Sequence, residues 1–150
     1  MSERVATALD HLEAVFGELE SALKAADEAW ERVPAPGEWA PRLVAEHIVS
    51  AWVIYLDFAA DALGRDAFDW EKLPYEFTTA KVGLDGLSVV RAFANSLLEV
   101  AADPDLDLDV PAMEDWPNLP NTVEGALGYV EHHGRMHARQ IRDAVNPTKL

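Results

Sequence analysis

The chain has 150 residues, 49% hydrophobic and 26% charged, the composition of one globular domain rather than of a disordered chain. Its 27 acids against 12 bases leave a formal net charge of −15, a surface that repels phosphate backbones and anionic headgroups, so nucleic acid and membranes are disfavoured as partners. There is no cysteine, which removes disulfides, thiolate ligands and a cysteine nucleophile; any thiol chemistry would need a small molecule to bring the thiol.

The opening MSERVATALDHLEAVF is charged from residue 3 and lacks the apolar core of a signal peptide, so a cytoplasmic location is expected. Over residues 3–32, Val5, Leu9, Leu12, Phe16, Leu19, Leu23, Ala26 and Trp30 recur at alternating spacings of four and three. This is the narrow seam of a bundle helix. Ala8, Val15, Ala22 and Ala29 make a second, shallower stripe, which suits either a subunit contact or simple helix propensity.

PAPGEWAP, residues 34–41, breaks the chain, and Pro41 suits the first turn of a second helix, where its missing N–H costs nothing. That helix runs to about Leu63, with Leu43, Val44, His47, Ala51, Ile54, Tyr55 and Phe58 on the face expected to point inward. Its apolar run is interrupted by Glu46, His47, Asp57 and Asp61, so a buried helix is expected rather than a membrane span. Residues 64–83 hold glycine, proline and several aromatic rings without periodicity, as a long connection would. Asp85 is the expected cap of a third helix reaching about Ala102, with Leu87, Val90, Ala94, Leu97, Leu98 and Ala101 inward. Residues 103–120 are acidic and proline-rich, a loop. Asn121 or Thr122 then caps a fourth helix over 121–145, with Glu124 opposing its dipole.

In the fourth helix, His133 and His137 stand four apart and therefore on one face. Ala126, Tyr129, Val130, Met136, Gln140, Ile141 and Ala144 fall on or beside that face. Glu131, Arg135, Arg139, Arg142 and Asp143 take the other side. Two imidazoles aimed inward both need polar partners in one small volume. Taken alone, they are ordinary core histidines as readily as ligands. With His47 of the second helix they make three nitrogen donors suited to zinc, nickel, iron or copper, and three protein ligands leave a position for water or substrate. No Glu-x-x-His or His-Glu-x-x-His occurs, which excludes the carboxylate-rich di-iron bundle site and the metalloprotease helix. A glycine-rich phosphate loop is absent too. His11 lies off the seam of the first helix and is expected in solvent. His132, about 100° round the helix from His133, is expected at the rim, with a supporting role beside the ligands as the alternative. Gln140 either orients a ligand or satisfies a backbone group. The Arg135, Arg139 and Arg142 ridge either pairs with nearby acids or receives an anionic cosubstrate.

Four helices with long second-to-third and third-to-fourth connections define an all-α four-helix bundle that is not simply up-down-up-down. GEWAPRLVAEHIVSAW resembles the second-helix signature of the DinB/YfiT-like superfamily, in which a tryptophan precedes a metal-binding histidine by about two turns. EHHGRMHARQI resembles its fourth-helix signature, His-x-x-x-His-x-x-Gln-Ile. The resemblance covers nearly the whole chain, as a single domain over 1–150. It implies an up-down-down-up bundle, often a homodimer, with a divalent ion held by His47, His133 and His137. It further implies a thiol-dependent transferase or isomerase using bacillithiol, mycothiol or glutathione, although many members have no known reaction. Two functional readings follow. One is a metal-dependent enzyme transferring a low-molecular-weight thiol or hydrolysing a small substrate. The other is a metal-binding, stress-response bundle protein without catalysis. The sequence identifies no acid or base for either.

Overall fold

The computed structural model describes residues 3–99, 108–112 and 121–146. Four long helices make up the fold: α1 (Glu3–Ala25), α2 (Pro41–Ala62), α3 (Ala80–Glu99) and α4 (Val123–Val145). Among the described residues there is no sheet, only an isolated antiparallel bridge between Pro111 and Thr122. The expected end of the third helix at Ala101 and Ala102, and most of the acidic 103–120 segment, lie outside the described residues.

Side-chain pairs give the topology. Arg4 reaches Glu124, and His11 reaches Glu131, so α1 and α4 run parallel. His47 meets His137, and the Trp52 indole meets the Val130 carbonyl, so α2 runs against α4. Gly83 of α3 lies under Trp30, while Arg91 pairs with Glu20 and Glu13, so α3 runs against α1. The bundle is therefore up-down-down-up, and the connection from α2 to α3 must travel its length. α1 and α2 each pack against α3 and α4, and across the diagonal Phe16 meets Trp52 edge-on at 4.8 Å.

The seam of α1 enters the core as its spacing predicts, with only Leu9 half-buried. Regular α-helix stops at Ala25, however, short of the expected 32. The chain tightens into a 3-10 turn at Asp27–Ala29, which carries Trp30 round until its indole N–H donates to the Phe77 carbonyl at 2.7 Å. The second stripe is a correction of another kind. Val15, Ala22 and Ala29 are buried within the chain's own bundle and do not form an outer face.

α3 starts at Ala80, not after Asp85, because the Thr79 hydroxyl accepts from the Val82 N–H and caps the helix there. Gly83, expected in the connection, is helical, and with Gly86 it leaves room for rings. A Cβ on Gly86 would stand 2.8 Å from the Phe77 ring, and one on Gly83 3.0 Å from Trp30. At α4 the Thr122 hydroxyl accepts from Gly125 N–H, choosing Thr122 over Asn121 as cap.

The largest correction concerns the phase of α2. Leu43, Ile54 and Phe58, expected inward, are exposed. The buried face consists of Val44, Ala45, Ile48, Val49, Trp52, Val53, Leu56, Ala59 and Ala60. Two of the acids that interrupt its apolar run are used inside the fold. Glu46 accepts from the Phe77 N–H at 2.8 Å, and Asp57 from the Phe68 N–H at 2.7 Å. They tie the 64–79 connection along the flank of α2. This helix is long and apolar enough to cross a membrane by length and composition, and 56% of its most apolar window is buried in the bundle.

Candidate metal centre

The site forms where α2 and α4 cross, and a glycine sets how closely they approach. A Cβ on Gly134 would lie 2.2 Å from the Trp52 ring and 2.7 Å from Val15. No other residue leaves space for that indole, which packs against α4 and donates to the Val130 carbonyl at 2.9 Å. With the two backbones held this close, His47 reaches the two histidines that flank Gly134 in the sequence.

His47, His133 and His137 come together as the sequence predicts. One ring nitrogen from each lies within 4.8 Å of the others, a group able to hold a metal ion. His133 and His137 are 8% and 7% exposed, the only polar residues in the buried core among those described. His47 stands at the border, half-buried rather than inward, as the phase of α2 requires. Its ring lies 5.2 Å from His133 and 4.8 Å from His137, and the edge of Trp39 closes on it at 5.5 Å.

Hydrogen bonds hold the two α4 rings. The Nε2 atoms of His133 and His137 are 2.8 Å apart. His137 Nδ1 meets Gln140 Oε1 at 2.7 Å, and His133 Nδ1 meets the Tyr55 hydroxyl at 3.2 Å. Tyr55 also hydrogen-bonds Tyr129, whose ring packs edge-on against it at 4.8 Å. Burial, then the charges of His137, His47 and His132, push the His133 pKa down to about 4. Burial lowers that of His137 as well, against an opposing pull from Gln140. Burial and then Tyr129 push the Tyr55 hydroxyl up to about 12. Near neutral pH the two α4 rings are thus neutral, the form a metal requires.

Of the other expected residues, Gln140 hydrogen-bonds the His137 ring, although the residue is otherwise exposed. His132 is at the rim, 6.5 Å from the Tyr129 ring, and meets no ligand ring directly. Met136, expected beside the inward face, is 50% exposed. His11 is largely exposed, yet its ring sits 3.3 Å from Glu131, which is turned toward α1 and not outward. Arg135 of the basic ridge pairs with Glu131 of its own helix at 3.2 Å. Sequence reading missed the role of Tyr55, placed only as one more apolar-face residue. Its position eight residues after His47, two turns along one side, was the available signal.

The fold and this cluster define a class: an up-down-down-up four-helix bundle with a three-imidazole group compatible with a metal site. The DinB superfamily model matches residues 4–141, and the chain belongs to that superfamily. No curated protein and no solved structure matches it significantly.

Proposed function

We propose that this chain is a divalent-metal-dependent enzyme that transfers a low-molecular-weight thiol or hydrolyses a small substrate. The observation that carries the reading is the convergence of three imidazoles within 4.8 Å, in a chain with no cysteine of its own. The donor set fits zinc, nickel or iron, and the depressed pKa values keep both α4 rings available as ligands. His47, His133 and His137 would hold the ion. When bound, it would supply Lewis acidity, lowering the pKa of a thiol or water brought to it. The protein's own part is positional. Gln140 and Tyr55 orient the α4 rings, Trp39 flanks His47, and the core behind Trp52 keeps water from the inner side.

One observation favours the alternative, a metal-binding stress-response bundle protein without catalysis. The two acids of α2 nearest in sequence to the cluster residues, Glu46 and Asp57, are both engaged by backbone N–H groups of the connection. Those hydrogen bonds give both a structural role in holding the connection. The discriminating experiment loads the protein with zinc, nickel or iron and supplies glutathione, bacillithiol or mycothiol with a chromogenic haloarene. Metal-dependent thiol consumption that is lost in His47→Ala supports the enzyme. Tight metal binding with no turnover of any pair leaves the non-catalytic protein.

A homodimer in the cytoplasm belongs to the same reading, with neither nucleic acid nor membrane as partner. What supports self-association is the outward stripe of α2, where Leu43, Ile54 and Phe58 are exposed together. Sedimentation giving only a 16.5 kDa species at micromolar concentration would refute it.

A further inference from the structure

Four polar groups form a line through the site: Tyr55 Oη, His133, His137 and Gln140 Oε1. Its proton order follows from the chemistry of its ends. An amide oxygen only accepts, so His137 carries its proton on Nδ1 and donates it to Gln140 at 2.7 Å. A neutral imidazole has one N–H, which leaves a lone pair on His137 Nε2. The 2.8 Å contact between the two Nε2 atoms then requires His133 Nε2 to be the donor. His133 Nδ1 is left as an acceptor, and the Tyr55 O–H supplies the bond at 3.2 Å. All four groups are satisfied in a single direction.

Binding an ion needs the opposite arrangement at one of them. Two nitrogens on one ion at about 2.0–2.1 Å stand about 3.3 Å apart, and both must offer lone pairs. His137 already offers its Nε2. His133 must give up its Nε2 proton to water and take one from water at Nδ1, a balanced exchange that leaves the ring neutral. Its Nδ1–H then points at Tyr55, whose oxygen must accept.

We propose that Tyr55 is the positioning residue of this centre, its hydroxyl donating to His133 when no ion is held and accepting from it when His133 is a ligand. In the second arrangement the Tyr55 proton turns to Tyr129, its hydrogen-bond partner, whose hydroxyl changes from donor to acceptor. A hydroxyl is one of the few side-chain groups that both donates and accepts at one atom. A side chain limited to one role would stabilise one arrangement alone. Gln140 acts on the other ring and keeps its role unchanged throughout. This inference rests on the metal-binding half of the reading above and does not depend on catalysis.

The test is long-range proton–nitrogen NMR of histidine-labelled protein near pH 7.5, first with chelator and then with zinc. With chelator, His137 is expected as the Nδ1–H tautomer and His133 as the Nε2–H tautomer. With zinc, His133 is expected to switch to Nδ1–H while His137 does not change. Tyr55→Phe should leave His133 as the Nε2–H tautomer under chelator, because Gln140 and His137 fix it, but weaken zinc binding ten- to a hundredfold, the usual effect of losing a ligand's outer partner. His133 already in the Nδ1–H form under chelator overturns the proposal. So does zinc affinity within twofold of wild type in folded Tyr55→Phe. If zinc binds and the His133 tautomer stays put, this inference alone fails. If the wild-type chain takes up no zinc, nickel or iron, the functional reading fails and the role reversal with it. The wild-type spectra decide the matter even where the variant does not fold.

Discussion

α4 has two edges, and histidines stand at both. Against α2 it places His133 and His137 in a dry seam, closed by Trp52 and Gly134 and linked to Tyr55 and Gln140. Against α1 it places Glu131 beside His11, with Arg4 bridging Asp109 and Glu124 near the helix starts. Chemically the imidazoles are the same. At the α2 edge burial keeps the rings neutral and makes each nitrogen's partner matter. At the α1 edge water is available to every group, and an exposed ion pair there contributes little. A histidine near another charged group therefore says little about function until its access to water is known.

The contrast is most sharply broken at Gly134. Gly134→Ala gains about 1 kcal/mol of helix propensity, but the new methyl overlaps two buried side chains, Trp52 and Val15. Overpacking of this kind costs about 1–3 kcal/mol, and more where the neighbours cannot move. A net loss of about 2 kcal/mol in urea denaturation is expected, with weaker metal uptake because α4 must back away from His47. Unchanged stability would mean that the close approach of α2 and α4 is not what holds the site.

Metal linkage comes next. At a hundredfold excess over its dissociation constant, a ligand that binds only the folded state stabilises it by about 2.7 kcal/mol. The chain is expected to melt higher with zinc, nickel or iron than with chelator. His47→Ala or His137→Ala should remove the difference, and His132→Ala should leave most of it. Equal melting with and without metal would return all three rings to the role of ordinary core histidines.

The pH response separates the two edges further. In the unfolded chain His133 titrates near its ordinary value of 6.5, whereas in the fold it is held at about 4. Between those values the unfolded state binds protons that the folded state does not. Its contribution is thus fully present above about pH 6.5 and is lost as the pH falls toward 4. Melting in chelator should fall across that window, and less steeply in His133→Gln. The smallest effect is expected at the α1 edge. His11→Ala should cost less than about 1 kcal/mol and leave metal affinity within error.

Much of the architecture was legible because it depends on contrast along the chain. In α1, single apolar residues alternate with charges, and the expected seam is the buried one. His133 and His137 were legible for a similar reason, since four-residue spacing fixes a shared face whatever lies around it. α2 offers little contrast. Apolar residues surround it almost completely, so periodicity could not set its rotation, and Glu46 and Asp57 marked a flank that the connection covers. The start of α3 was misplaced because Gly83 reads as the end of the connection until Trp30 is seen lying on it.

The sequence by itself determined the four helices, the long connections, the Pro41 start and the three histidines, all of which follow from residue type and local spacing. Only the tertiary structure decided how α2 is turned, and hence that His47 stands at the border with Leu43, Ile54 and Phe58 outside it. It alone joined Gly134 to Trp52 and Tyr55 to His133. These pairs are separated by 78 or more positions or act through space left empty, and neither fact has a signature in the local pattern. Local spacing determines which face of a helix a residue occupies. What that face meets depends on how close two backbones can come, and here the missing side chain of one glycine sets that distance.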